Sequence, residues 1–212
     1  MSLPIKVLVL ISLLLGACAP GTPRSTQIPR ARTEASVVRS GFSIRDGRLG
    51  AGALVRVGGS KTIRDITIGI TFFAGGRKVG AQQRDILPYC PPSSDCWWGQ
   101  SFFGDRLDVR WASVDRAVVR VLRAGASTDR ESIVSRLRFA VEGDDVVVTP
   151  AGEDGTAYLV AVRGSRPSYG ISFVTRSGEH APLRYGTESF PTDRRDRIVG
   201  AFYPGPVERP AD

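Results

Sequence analysis

The chain has 212 residues, 42% of them hydrophobic, and a formal charge of +8, enough for one large domain or two small ones. Its 24 glycines and 14 prolines argue against a helical bundle, and its balance of apolar and charged residues against a disordered tail or a multi-span membrane protein. A single histidine removes most zinc and copper sites built on imidazole, and no metal or other cofactor is expected.

The first element is an address. Lys6 precedes the apolar run Val7–Leu15, which is too short to span a bilayer core of ~30 Å as a helix but has the length of a signal-peptide core. Leu15-Gly16-Ala17-Cys18 follows and resembles the bacterial lipobox: a branched apolar residue, two small ones, then cysteine. That resemblance implies that residues 1–17 are removed. Cys18 then becomes a lipidated N-terminus carrying two or three acyl chains, enough for stable anchoring. The implied setting is the extracytoplasmic side of a bacterial envelope membrane, and Ala19 permits the outer membrane if the cell is Gram-negative. Residues 18–36 are rich in Pro and polar groups and read as a tether that could reach at most ~60 Å.

The body then reads as strands. Leu49–Val57 is a first candidate. In Ile63–Phe73 the apolar residues Ile66, Ile68, Ile70 and Phe72 alternate, which marks a half-buried strand. Gly75-Gly76 turns the chain and Arg77–Ile86 returns, so the pair predicts a hairpin. Ala117–Leu122, Ala157–Arg163 and Gly170–Val174 continue the pattern. These strands divide the body into a first domain over 37–124, a linker at 125–132, a second domain over 133–207 and a tail at 208–212. Residues 37–124 carry 14 basic and 7 acidic groups and residues 133–207 carry 9 of each, so the excess charge lies on the first domain. A basic domain suits anionic headgroups or an acidic envelope polymer, although scattered Arg also simply solvates a β surface. No basic run is dense enough for a nucleic-acid tract, and no nucleic acid is expected as partner.

Within the first domain lies a cysteine pair. With Cys18 lipidated, Cys90 and Cys96 remain, flanking Pro91-Pro92-Ser93-Ser94-Asp95. Exported proteins keep disulfides, and the spacing is neither C-x-x-C nor a four-ligand metal set, so a structural Cys90–Cys96 bridge is expected. Trp97 and Trp98 follow directly. Neighbours on a strand face opposite ways, so one can pack in the core while the other offers a partner contact beside the rigid loop. Both are carried as candidate contact residues, against the plainer reading that they fill the core.

The halves also match each other in sequence. Phe42–Gly59 aligns with Val147–Gly164, Gly69–Phe72 with Gly170–Phe173, and Asp115–Val118 with Asp196–Val199, in the same order. This predicts a duplicated β unit with the cysteine segment inserted in the first copy. Thr71–Gly80, following Asp65–Ile70, resembles the central hairpin of FxLYD-type bacterial domains: an alternating strand, an aromatic pair, a Gly turn and a basic return strand. Leu87-Pro88 stands where that pattern has Pro-Gly, and the second half keeps only the aromatic hairpin. The resemblance implies an all-β fold of two tandem immunoglobulin-like β-sandwich domains, and it brings no catalytic residues.

Two functions compete on these residues. The favoured one is a non-enzymatic envelope lipoprotein presenting sandwich loops to a protein or envelope-polymer partner. The alternative is an envelope hydrolase or carbohydrate-active protein using carboxylates together with Trp97 and Trp98. Its candidates are Asp105 with Asp108, Asp144 with Asp145, and Glu153 with Asp154, two of which lie beside turn glycines where acids commonly hold the turn itself. His180 sits past the Ser177-Gly178 turn with no nucleophile elbow near it and reads as a solvated loop residue.

Overall fold

The computed structural model describes residues 35–45, 47–102, 111–126, 137–150, 152–186, 189–191 and 193–205, with the backbone alone at 81–85, 111 and 126. The leader, Cys18, the tether up to residue 34, Asp105, Asp108, most of the expected linker and the tail lie outside the described residues.

Twelve strands and one 3-10 turn make up the described elements, and the fold is all-β. The first six are β1 (Ala35–Arg45), β2 (Arg48–Val57), β3 (Ile63–Ala74), β4 (Arg77–Cys90), β5 (Asp95–Phe102) and β6 (Arg116–Ala126), with the turn at Trp111–Ser113 before β6. The second six are β7 (Arg138–Glu142), β8 (Asp145–Thr149), β9 (Gly155–Arg163), β10 (Arg166–Thr175), β11 (Leu183–Tyr185) and β12 (Asp196–Pro204). Ala35 and Ser36, which composition assigns to the tether, open β1 instead.

All pairing is antiparallel, in four three-stranded sheets: β1-β2-β5, β4-β3-β6, β11-β8-β7 and β10-β9-β12. The two halves therefore have the same topology. In each, the first, second and fifth strands form one sheet, and the fourth, third and sixth form another. Hairpins join the first strand to the second and the third to the fourth. The β3–β4 hairpin turns through Gly75 and Gly76, both at positive φ (55° and 77°), the backbone that a two-residue primed turn demands and that glycine adopts freely.

This topology corrects the register of the sequence repeat. The Asp115–Val118 match to Asp196–Val199 joins β6 to β12, its topological counterpart. The other two matches slip by one strand: they join β2 to β9 and β3 to β10, whereas the counterparts of β2 and β3 are β8 and β9. Alternating apolar strands with glycine turns resemble one another whichever strand they occupy, so short matches cannot choose among them.

The sheets stack in layers. Leu49, Ala51, Ala53, Val55 and Val57 of β2 face Ile66, Ile68, Ile70 and Phe72 of β3 in one core. Val146 and Val148 of β8 face Ala157, Leu159 and Ala161 of β9 in a second. The opposite faces of β2 and β9 meet each other, since an added Cβ on Gly52 would lie 2.8 Å from Val160 and one on Gly170 would lie 2.4 Å from the Gly99 Cα. Sheets β1-β2-β5 and β10-β9-β12 are thus covered on both faces, and β2 and β9 are buried almost throughout rather than on alternate residues. Small residues in β2, β5 and β10 permit the close approach. Residues Arg32–Asp212 cluster as one unit.

Candidate functional site

The cysteine loop comes first. Cys90 ends β4 and Cys96 opens the run of β5 that pairs with Val55, so the disulfide ties the β4-β3-β6 sheet to the β1-β2-β5 sheet, with Cα atoms 5.8 Å apart and both cysteines wholly buried. The loop closes as a tight turn: Ser94 N–H donates to the Pro91 carbonyl, Pro91 is buried, and Asp95 pairs with Arg56 at 3.0 Å. Only Ser93 and Asp95 of the loop are exposed.

Trp98 corrects the contact reading. Its side chain is 1% exposed and lies in the first core beside Cys96 and Phe102, so it has no surface to offer a partner. The pleat puts Cys96, Trp98 and Phe102 of β5 on the side of that core, and burying a large ring there is what fills it. Trp97 points the other way, half-buried, and its carbonyl accepts the Tyr203 hydroxyl at 3.0 Å. Tyr203 belongs to an aromatic junction that sequence reasoning missed. Its ring stands edge-on to Tyr89 and to Tyr158, each at 5.6 Å, and Tyr158 donates to the Ile86 carbonyl at 3.0 Å. Burial raises the Tyr203 and Tyr89 hydroxyls above the ordinary phenol range. A signal was present, since β9 and β12 each carry a Tyr inside an apolar run, where a hydroxyl needs a partner.

The carboxylates and the histidine are brought together only in part. The β8–β9 turn meets the β10–β11 turn: Asp154 Oδ1 accepts the Ser177 N–H at 2.8 Å, and Gly178 N–H donates to the Gly152 carbonyl at 3.1 Å. The His180 ring lies over Gly152, where an added Cβ would come within 2.4 Å of it. Glu179 accepts from the Arg176 N–H at 3.0 Å, and Asp145 lies 3.7 Å from Arg184, which also pairs with Glu142 at 2.8 Å. Each of these acids has a structural partner in a turn or on an exposed strand. Among the described residues no group of three or more His, Cys, Asp and Glu is placed to hold a metal ion.

A concave feature among the described residues lies elsewhere, between the two halves. A groove of about 840 Å³ runs along Ser40–Arg45 of β1, past Asp115–Ala117 at the start of β6, to Arg163 and Arg166–Ser168 of the β9–β10 hairpin. Its floor is an ion network. Arg45 donates to Asp196 Oδ2 at 2.5 Å, to the Pro191 carbonyl at 2.8 Å and to Ser168 Oγ at 3.3 Å. Arg163 donates to Asp196 Oδ1 at 3.1 Å and to Asp193 Oδ2 at 2.8 Å. The Asp196 side chain is wholly covered. Burial by itself would raise its carboxyl, but hydrogen bonds from Arg45, the Asp193 N–H and Arg163 outweigh this and hold it below the ordinary range. The Arg195 N–H, followed by the Arg163 charge, lowers Asp193 likewise. At the rim, Arg116 lies 3.8 Å over the Phe73 ring and Arg166 is exposed without an ion-pair partner among the described residues. Asp115, the nearby acid, is engaged by the Gly75 N–H at 2.6 Å.

No family model matches this chain, and no curated protein matches it.

Proposed function

We propose that this chain is a lipid-anchored envelope protein that acts as a non-enzymatic binding module, with the groove between its halves receiving a protein or envelope polymer bearing negative charge. The observation that carries the reading is the groove itself. Four arginines line it, Arg45, Arg116, Arg163 and Arg166, against Asp115 and Asp193. Its floor is internally neutralised, and Arg166, exposed without an ion pair among the described residues, is left for a ligand. The resemblance of Leu15–Cys18 to the lipobox supports attachment to a membrane, and a disulfide between two sheets suits an exported protein. The shared topology of β1–β6 and β7–β12 supports the reading of two tandem immunoglobulin-like sandwiches. Grooves on a rigid scaffold carry recognition at low ordering cost, which favours this surface over the compact cysteine loop.

Photo-crosslinking tests it. A benzophenone side chain at position 166 should give discrete light-dependent adducts in intact envelopes, and the same group at Asp144, at a distant hairpin tip, should not. Adducts equal at both positions, or absent at 166, would remove the groove. Mass spectrometry of the N-terminal peptide should find acyl chains on Cys18, and an unmodified thiol there would remove the anchor.

A further inference from the structure

The outward face of the β4-β3-β6 sheet has a composition unlike the rest of the surface. Thr67, Gly69, Thr71 and Phe73 of β3 point away from the core, because Ile66, Ile68, Ile70 and Phe72 point into it. Strand register then places Arg123, Arg120, Val118 and Arg116 of β6 opposite those four, on the same face. On the other flank Lys78 stands opposite Phe73, and Ile86 opposite Thr67. Leu122, at the bulge in β6, lies over Gly69. Lys78, Arg116, Arg120 and Arg123 are exposed, and none forms an ion pair among the described residues. Leu122 and Ile86 are exposed between them, at 52% and 45%. Among the residues whose side chains are described, the acids nearest the face are at its ends: Asp65 in β3, and Asp115, which is engaged by Gly75.

We propose that this face docks on the anionic headgroups of the membrane to which Cys18 is anchored. The inference rests on the anchor reading above and adds an orientation to it. Four cations with no ion pair among the described residues, set around protruding Leu and Ile, are the chemistry of an interfacial surface: the charges meet phosphates while the apolar tips enter the headgroup boundary. The chain length permits it. Sixteen residues separate Cys18 from β1 at Ala35, a reach of at most ~60 Å, longer than the strands of the sheet that must lie down. An anchored domain is also held at high effective concentration beside the bilayer, so weak individual contacts suffice. The outer sheet of the other half offers no such surface, since Arg138 and Arg184 there are accompanied by Glu142, Asp144 and Asp145.

Flotation of the full chain carrying Cys18→Ser tests the face without its lipid, on vesicles of phosphatidylcholine with and without phosphatidylglycerol. Lys6 and the N-terminal amine of the leader favour the anionic vesicle too, equally in every variant, so the change in the ratio of the two affinities between variants reads the charged face. That ratio should be about tenfold or more, at roughly fivefold per cation near the surface, and should fall with salt. Arg120→Glu with Arg123→Glu should lower it by about tenfold or more, and the milder Arg120→Gln with Arg123→Gln should lower it less. Arg138→Glu with Arg184→Glu should leave it unchanged. A wild-type ratio near one, a ratio preserved in both Arg120/Arg123 pairs, or equal loss in the Arg138/Arg184 control would overturn the proposal, as would binding to soluble polyphosphate without vesicle preference. The two readings fail separately. A chain unmodified at Cys18 that still prefers anionic vesicles refutes the anchor, and a lipidated chain whose Cys18→Ser form shows no preference refutes the face.

Discussion

Asp115 and Asp196 occupy the same place in the two halves, each just before or at the start of the sixth strand, beside the hairpin of the third and fourth. In the first half the acid is exposed and receives one N–H, from Gly75 in the hairpin turn. In the second half it is covered and receives Arg163 from its own hairpin and Arg45 from the other half. One position in a repeated scaffold is therefore a local turn contact in one copy and the tie between copies in the other. The same division runs through the rest of the molecule. The first half has the inter-sheet disulfide, the large buried Trp98 and the cationic outer sheet, whereas the second has a smaller core and a charge-balanced outer sheet. Identical topology sets where a side chain stands, and the neighbouring layer decides what it does.

The sharpest way to break this comparison is to empty the two cores. Trp98→Ala in the first and Phe202→Ala in the second should each destabilise the chain by about 3–5 kcal/mol, the usual cost of deleting a buried aromatic. Because β2 and β9 share a buried interface, both variants should shift one common transition in urea, followed by tyrosine and tryptophan fluorescence. Two separated transitions, each moved by one variant alone, would make the halves independent and reduce the junction to a contact surface.

How much of this was legible in the sequence follows the layers. β3 and the β3–β4 hairpin were plain, because that sheet is buried on one face only and Ile66, Ile68, Ile70 and Phe72 alternate. β6, with one face likewise outward, was found in part. The extents of β2 and β9 were close, yet the reason for their small residues was hidden: Gly52, Gly99 and Gly170 exist for a contact with strands distant in sequence. β1 escaped notice because Ser, Arg and Gly interrupt its apolar residues, and β8 and β11 because they are short. Of the candidate site, the disulfide was readable from cysteine count and spacing; the likeness of the two halves, which the structure shows as a shared strand topology, was matched from recurring glycines in the wrong strand register. The groove was not readable at all. Arg45, Arg163 and Asp196 are three among many charges, and only tertiary packing brings residues 151 positions apart into one ion pair.

The ion tie gives the next effect. Arg45→Met keeps the stem that packs along the groove but removes the charge, and leaves covered Asp196 with Arg163 and one N–H. A loss of about 3 kcal/mol is expected at neutral pH, the low end for breaking a covered pair. The pH dependence has a definite sign. A carboxyl held below its ordinary value contributes stability that is fully present above that value and is lost as pH falls through the lowered one. Wild-type stability should thus decline as pH drops below the ordinary aspartate range, near 3.8, while the variant, whose Asp196 has lost its strongest donor, should decline less. Parallel curves for the two proteins in urea denaturation from pH 7 to pH 3 would show that the tie between the halves lies elsewhere.

The smallest effect separates stability from recognition in the first half. The Cys90–Cys96 bridge closes a loop of five residues, and the chain-entropy estimate for so short a ring is about 2 kcal/mol. Its position adds a constraint that ring size misses, since it joins the end of β4 to the start of β5 and so one sheet to the other. Cys90→Ala with Cys96→Ala should lower stability by about 2 kcal/mol and leave crosslinking from position 166 unchanged, because the loop is folded against the sandwich with Pro91 buried and Asp95 paired to Arg56. Both sulfurs are covered, so a thiol reagent should label them in reduced protein only after unfolding. Loss of the position-166 adducts in a folded double variant would return the cysteine loop to the binding surface. It would also mean that the first half's additions serve recognition and not only the packing of one sheet on another.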